Sequence, residues 1–131
     1  MKKKILVVVA NYYKDISADL IFNTKSVLIK SKLKIDWLYV PGVFEIPVVI
    51  SKNIKKYDGF VAVGCVIKGE TPHFDFISKA AIDAIMNLSI DYKKPIGNGI
   101  ITCLNKNQAI TRSKTKGQES AKALLSLLKI L

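Results

Sequence analysis

Residues 5–10, Ile-Leu-Val-Val-Val-Ala, are an unbroken apolar run dominated by β-branched side chains. A strand with one wet face alternates polar and apolar positions. A run with no polar position has both faces covered, as in a parallel sheet packed between helices. Strand-like runs return at residues 35–40, 60–67 and 96–103, the second stopped by Pro41-Gly42 and the last expected to be weakened by Gly97 and Gly99. Helical patterns lie between them. Residues 16–30 place Ile16, Leu20, Thr24, Val27 and Leu28 on one stripe, with Asp15 or Ser17 near its start. Residues 44–55 carry Glu45 and Pro47 in a first turn, where both are tolerated. Residues 73–89 align Phe74, Ile77, Ala81, Ile85 and Leu88, and residues 106–112 and 118–131 read as a short and a terminal helix. The βαβαβαβα order specifies right-handed crossovers and a parallel sheet with helices on both faces, in one domain over residues 1–131.

Ligands of such sheets bind beyond the carboxyl ends of the strands. Polar clusters fall at those points: Asn11-Tyr12-Tyr13, Pro41-Gly42-Val43-Phe44-Glu45, residues 68–73 and residues 105–108. The third holds the only histidine, His73, behind a Gly-Glu-Thr-Pro turn. Gly69 lets a ligand approach the backbone, Thr71 is suited to cap a helix whose first residue is Pro72, and the helix adds positive potential at its N-terminus. Ordinary capping accounts for the same residues equally well. Tyr12 and Phe44 can sandwich a planar heterocycle or simply pack the rim. Glu45 can accept from a polyol or only complement a helix dipole. Arg112, the sole arginine, offers a bidentate fork for phosphate.

Several classes are disfavoured. The loop after the first strand has no glycine, so it matches neither a dinucleotide fingerprint nor a P-loop, and no Gly-x-Ser-x-Gly elbow occurs. One histidine with Cys65 and Cys103, both in apolar runs, reads as two buried thiols in a reducing compartment, with no metal site. The apolar run behind the Met-Lys-Lys-Lys start is too short for a leader, and no run approaches membrane-spanning length, so a cytoplasmic protein without a membrane partner is expected. The net charge of +11 invites a nucleic-acid reading. Its lysines are scattered along the chain without an aromatic platform, which favours a solvated surface and no nucleic-acid partner.

Four segments together carry a more specific signal: Val40-Pro-Gly-Val-Phe-Glu-Ile-Pro47, Gly64-Cys-Val-Ile-Lys-Gly-Glu-Thr-Pro-His-Phe-Asp-Phe76, Pro95-Ile-Gly-Asn-Gly-Ile-Ile-Thr102 and Gln108-Ala-Ile-Thr-Arg112. In order and spacing they resemble lumazine synthase, the penultimate enzyme of riboflavin biosynthesis. The resemblance implies a flavodoxin-like three-layer α/β/α sandwich around a four-stranded parallel sheet. It also implies condensation of 5-amino-6-(D-ribitylamino)uracil with 3,4-dihydroxy-2-butanone 4-phosphate, without metal or organic cofactor. By position, Tyr12 would stack on the pyrimidine, and Val43, Phe44 and Glu45 would line the ribityl pocket. Val66 and Ile67 would present backbone groups to the uracil edge. Gly69, Glu70 and Thr71 would hold the phosphate with Arg112, while His73 moves protons. Asn98 and Lys116, with Arg112, would complete the pocket of a neighbouring subunit.

That family assembles as pentamers, some gathered into 60-subunit shells. Here Tyr12 stands where Phe or Trp is usual, Asn98 replaces a commonly aromatic residue, and the segment between Arg112 and Lys116 is short. The short segment between Arg112 and Lys116 and the little chain before the first strand favour a free homopentamer over a shell, whereas Tyr12 and Asn98 bear on how the ring is stacked. The rival expectations are a carrier that binds a ribityl heterocycle without turning it over, and a basic shell with a nucleic-acid cargo.

Overall fold

The computed structural model describes residues 2–131. Four parallel strands, β1 (Lys4–Ala10), β2 (Lys34–Val40), β3 (Gly59–Ile67) and β4 (Ile96–Cys103), lie in the order β2-β1-β3-β4. Five helices, α1 (Lys14–Leu28), α2 (Ile46–Asn53), α3 (His73–Tyr92), α4 (Lys106–Ser113) and α5 (Lys116–Ile130), cover both faces. The result is the flavodoxin-like α/β/α sandwich. Among the described residues, no helix is long and apolar enough to cross a membrane.

The apolar run of residues 5–10 sits inside the sheet, between β2 and β3. Ile5, Val7 and Val9 face one way, into a core with Ile16 and Leu20 of α1, Ala109 of α4 and Leu124 of α5. Leu6, Val8 and Ala10 face the other way, against Ile46 and Ile50 of α2 and Ala81 and Ile85 of α3. These six apolar residues of β1 are at most 2% exposed. Each larger side chain so buried contributes about 1.5–3 kcal/mol, which is why neither face tolerates a polar residue.

Several boundaries differ from the sequence expectation for identifiable reasons. Helix α1 starts at Lys14, with Tyr13 at the N-cap and no side-chain cap; Ser17 instead turns inward and donates to Ala10 O at 3.0 Å. The helix expected from residue 44 is a 3-10 turn, Val43–Glu45, followed by α2 with Pro47 in its first turn. Helix α3 continues to Tyr92 and ends at Lys93, the one non-glycine residue with positive φ (53°) among those described.

Glycines do not weaken β4, which runs unbroken over eight residues. They let α5 approach it. A Cβ on Gly97 would strike the Ser120 carbonyl, and one on Gly99 would lie 2.8 Å from Ala62 O and 2.9 Å from Ser120 Oγ. Helix α5 likewise begins before the expected residue 118, with Gly117 set against Leu20 O of α1. Gly97→Ala should therefore destabilise the fold by about 2–3 kcal/mol in urea denaturation. Gly69→Ala, whose Cβ would meet nothing within 4 Å, should change stability by under about 0.5 kcal/mol. Equal effects would show that the α5–β4 approach is not tight.

Candidate functional site

Beyond β1 the chain turns to α1 on one face of the sheet; beyond β3 it turns to α3 on the other. The two connections part where the strand order reverses, and parted loops leave a crevice at the carboxyl ends. A cleft of about 660 Å³ occupies that position. Cys65, Val66 and Ile67 at the end of β3 form its floor, and Val43, Phe44 and Glu45 form one wall. His73, Phe74 and Ile77 of α3 form the other, with Tyr12, Tyr13, Gly69 and Thr71 around them.

The 3-10 turn is fixed by its first residue. Val43 is buried, and its Cγ2 lies where a Cβ on Gly64 would come within 2.8 Å, so only glycine at 64 lets the turn close down on β3. Phe44 and Glu45 then project over the cleft. The Glu45 amide donates to Gly42 O at 3.2 Å, and its carboxylate folds back over Gly42, whose missing Cβ leaves the room. Tyr12 and Tyr13 meet edge to face, with centroids 4.9 Å apart and planes at 81°. Tyr13 goes inward, and burial raises its phenol pKa, with smaller effects from Cys65 and Tyr12; the hydroxyl stays neutral. Tyr12 is 72% exposed and Phe44 59% exposed, so two ring faces are available to a planar ligand.

At the start of α3 the expected capping shifts by one residue. Pro72 is the N-cap, its carbonyl accepting from Asp75 N at 3.0 Å and Phe76 N at 3.2 Å, and His73 is the first helical residue. Thr71 Oγ1 has only a long 3.5 Å contact from His73 N, so its hydroxyl is not consumed by capping. Glu70 is exposed in the same loop and does not line the cleft.

The remaining predicted residues lie elsewhere. Arg112, in the last turn of α4, donates to Thr102 O at 3.3 Å and shares a polar hollow of about 370 Å³ with Lys116, Thr115 and Glu119. Asn98, on β4, accepts from Ile100 N at 3.1 Å and borders a third hollow with Ile96, Met86 and Leu127. Sequence reasoning missed Cys65, Phe74 and Ile77 as cleft residues. Ile77 was legible, since it stands four residues after His73 on the same helical face. Among the described residues, no three His, Cys, Asp or Glu side chains gather as a metal site.

A family model described as 6,7-dimethyl-8-ribityllumazine synthase matches residues 2–131. Proteins of that name from Bartonella bacilliformis and Bartonella henselae are 41% and 42% identical, covering 95% and 97% of this chain and 87% of each relative. One from Agrobacterium fabrum is 38% identical, covering 98% of this chain and 95% of its own. A solved lactose-specific IIB component domain from Streptococcus pneumoniae aligns over 98% of this chain and 97% of its own, at 13% identity and a TM-score of 0.35, too distant to bear on the site.

The cleft floor makes a pH prediction. Burial pushes the Cys65 thiol up to about 12, helped by the neighbouring Cys103. Cys103 is raised by burial too, with Arg112 opposing. A group whose folded pKa is raised contributes its full stability below its unfolded pKa and loses it as pH climbs toward the folded value. Urea stability should therefore decline from about pH 8.5 upward. Cys65→Ala should make the decline shallower; an unchanged slope would mean that ionisation of this thiol is not coupled to folding.

Proposed function

Because the chain belongs to the 6,7-dimethyl-8-ribityllumazine synthase family, we propose that the cleft between β1 and β3 is the main part of its active site. The enzyme condenses 5-amino-6-(D-ribitylamino)uracil with 3,4-dihydroxy-2-butanone 4-phosphate, giving 6,7-dimethyl-8-ribityllumazine, phosphate and water. The observation that carries the site assignment is the convergence of Tyr12, the Val43–Glu45 turn and His73 around one crevice at the switch point of the sheet.

In this reading Tyr12 stacks on the pyrimidine, and backbone groups of Val66 and Ile67 meet its polar edge. Phe44 covers the ribityl chain, whose hydroxyls donate to the Glu45 carboxylate. Gly69 and Thr71 bring the phosphate against the N-terminus of α3, where helix-end amides favour an anion. The 5-amino group attacks the ketone and water leaves as the imine forms; phosphate departs by elimination; the ribityl-bearing nitrogen then adds to the remaining carbonyl and a second water leaves as the ring closes. Holding two substrates side by side supplies much of the rate. His73, at the mouth, gives and takes the protons; an imidazole can do both near neutral pH.

Arg112 and Lys116 supply the cationic part. They share a hollow beside β4 and neither lines the cleft, so a second copy presenting its β4 side to the cleft completes the site. A homopentamer satisfies this, each interface joining one cleft to one cationic hollow. The exposed Val48, Phe76 and Met86 give it apolar surface to bury. Glu70 and Asn98 would act at this junction. A cytoplasmic location accords with free, buried cysteines.

Lumazine formation followed by absorbance tests the roles. His73→Ala should lower kcat by at most roughly 10²-fold, since positioning survives. Arg112→Ala should raise KM for the phosphorylated substrate roughly tenfold or more with a smaller change in kcat. Unchanged kinetics would remove Arg112 from the site. Mixed and reassembled, the two variants should regain activity through interfaces that carry both intact residues. No recovery after verified subunit exchange would place both residues in one chain's site.

A further inference from the structure

Lysines that look scattered in the sequence gather in space at the end of the sheet opposite the cleft. Residues 2–4, all lysine, lead into β1, and Lys30, Lys32 and Lys34 join α1 to β2. Lys52 lies in the last turn of α2, Lys55 and Lys56 join α2 to β3, Lys93 and Lys94 join α3 to β4, and Lys129 lies in the last turn of α5. The strand register brings these connections to one level: Lys4 pairs with Lys34, Lys34 N donates to Lys3 O, and Asp58 N donates to Lys4 O.

Twelve cations thus face three carboxylates, Asp36, Asp58 and Asp91, a local balance of +9 out of +11 for the chain. Two of those carboxylates are already engaged, Asp36 by the Tyr57 hydroxyl and Asp58 by the Lys4 amide. The two salt bridges among the described residues, Lys79–Asp83 and Lys106–Asp15, lie elsewhere. Four helices end at this pole, and their dipoles call for roughly half a positive charge each, about two in all. The excess is several-fold beyond that. Among the described residues, Lys94 is tied down by donating to Ile54 O and Tyr57 O, and the Lys4 ammonium lies 5.5 Å from the centre of the Tyr57 ring.

We propose that this pole docks the protein on an anionic lipid surface. The apolar residues beside the lysines favour that partner over nucleic acid. Ile29, Ile90 and Ile130 are 71%, 63% and 76% exposed at the ends of α1, α3 and α5, with Tyr92 46% exposed beside Ile90. Aliphatic side chains and a tyrosine among lysines match the boundary between headgroups and acyl chains. The sole arginine lies elsewhere, so the pole lacks the fork that grips single phosphates. Like-charge repulsion opposes burying such a pole against its own copy, which keeps it open in an assembly.

Co-sedimentation of the full chain with vesicles tests the proposal. Vesicles of phosphatidylcholine with about one-third phosphatidylglycerol should retain the protein at about 0.05 M salt and release it at about 0.5 M. Pure phosphatidylcholine should not retain it. Lys30→Glu/Lys32→Glu should weaken partition by roughly thirtyfold or more, whereas Lys114→Glu/Lys122→Glu, with the same change in net charge, should weaken it by under about threefold. Circular dichroism confirms that each variant is folded. The proposal is overturned by failure to bind anionic vesicles, by equal loss in both variants, or by tighter retention on single-stranded poly(U) than on vesicles.

Discussion

The pairing of β1 between β2 and β3 is the constraint on which the rest of this molecule depends. Right-handed crossovers then send α1 over one face and α2 and α3 over the other, so the connections beyond β1 and β3 must separate. The crevice is a consequence of topology before it is a matter of side chains. It also explains why β1 carries no polar residue after Lys4, since both of its faces are core.

Topology places the crevice, but close packing gives it shape. Gly64 admits Val43, and Val43 seats the turn that aims Phe44 and Glu45. On the other flank Gly97 and Gly99 admit Ser120, which draws α5 onto β4. Its N-terminal Lys116 lies just beyond Arg112 at the end of α4, and the two share one hollow. Both halves of the proposed site are thus positioned by missing side chains. A methyl group at either place would act on function through the backbone, without touching a substrate.

Much of this was legible in the sequence. Both-face burial marked the strands, and strand-end polarity marked Tyr12, Glu45 and His73. The glycines of β4 were misread because a propensity argument sees only the strand that carries them, whereas their reason is a helix more than twenty residues later. The 3-10 turn was missed because Glu45 and Pro47 suit an α-helical first turn equally well. The charge distribution was misread most. Linear spacing separates Lys4 from Lys34, yet parallel pairing makes them neighbours, and every crossover in such a sheet returns to the same end.

That distribution bears on how a phosphorylated substrate finds the cleft. Strands of seven to nine residues, at about 3.3 Å per residue, separate the two ends of the sheet by roughly 23–30 Å. Ionic screening at cellular salt decays over about 8 Å, so the basic pole contributes little field at the crevice. Outside the pole the chain is close to balanced, with nine cations against seven carboxylates. The net charge of +11 is therefore no guide to steering at the active site. In the proposed site, attraction of the phosphate comes from groups within a screening length, the N-terminus of α3 and the Arg112 and Lys116 of a second copy. The two ends of one sheet consequently answer to different anions, and mutations at one need not disturb binding at the other.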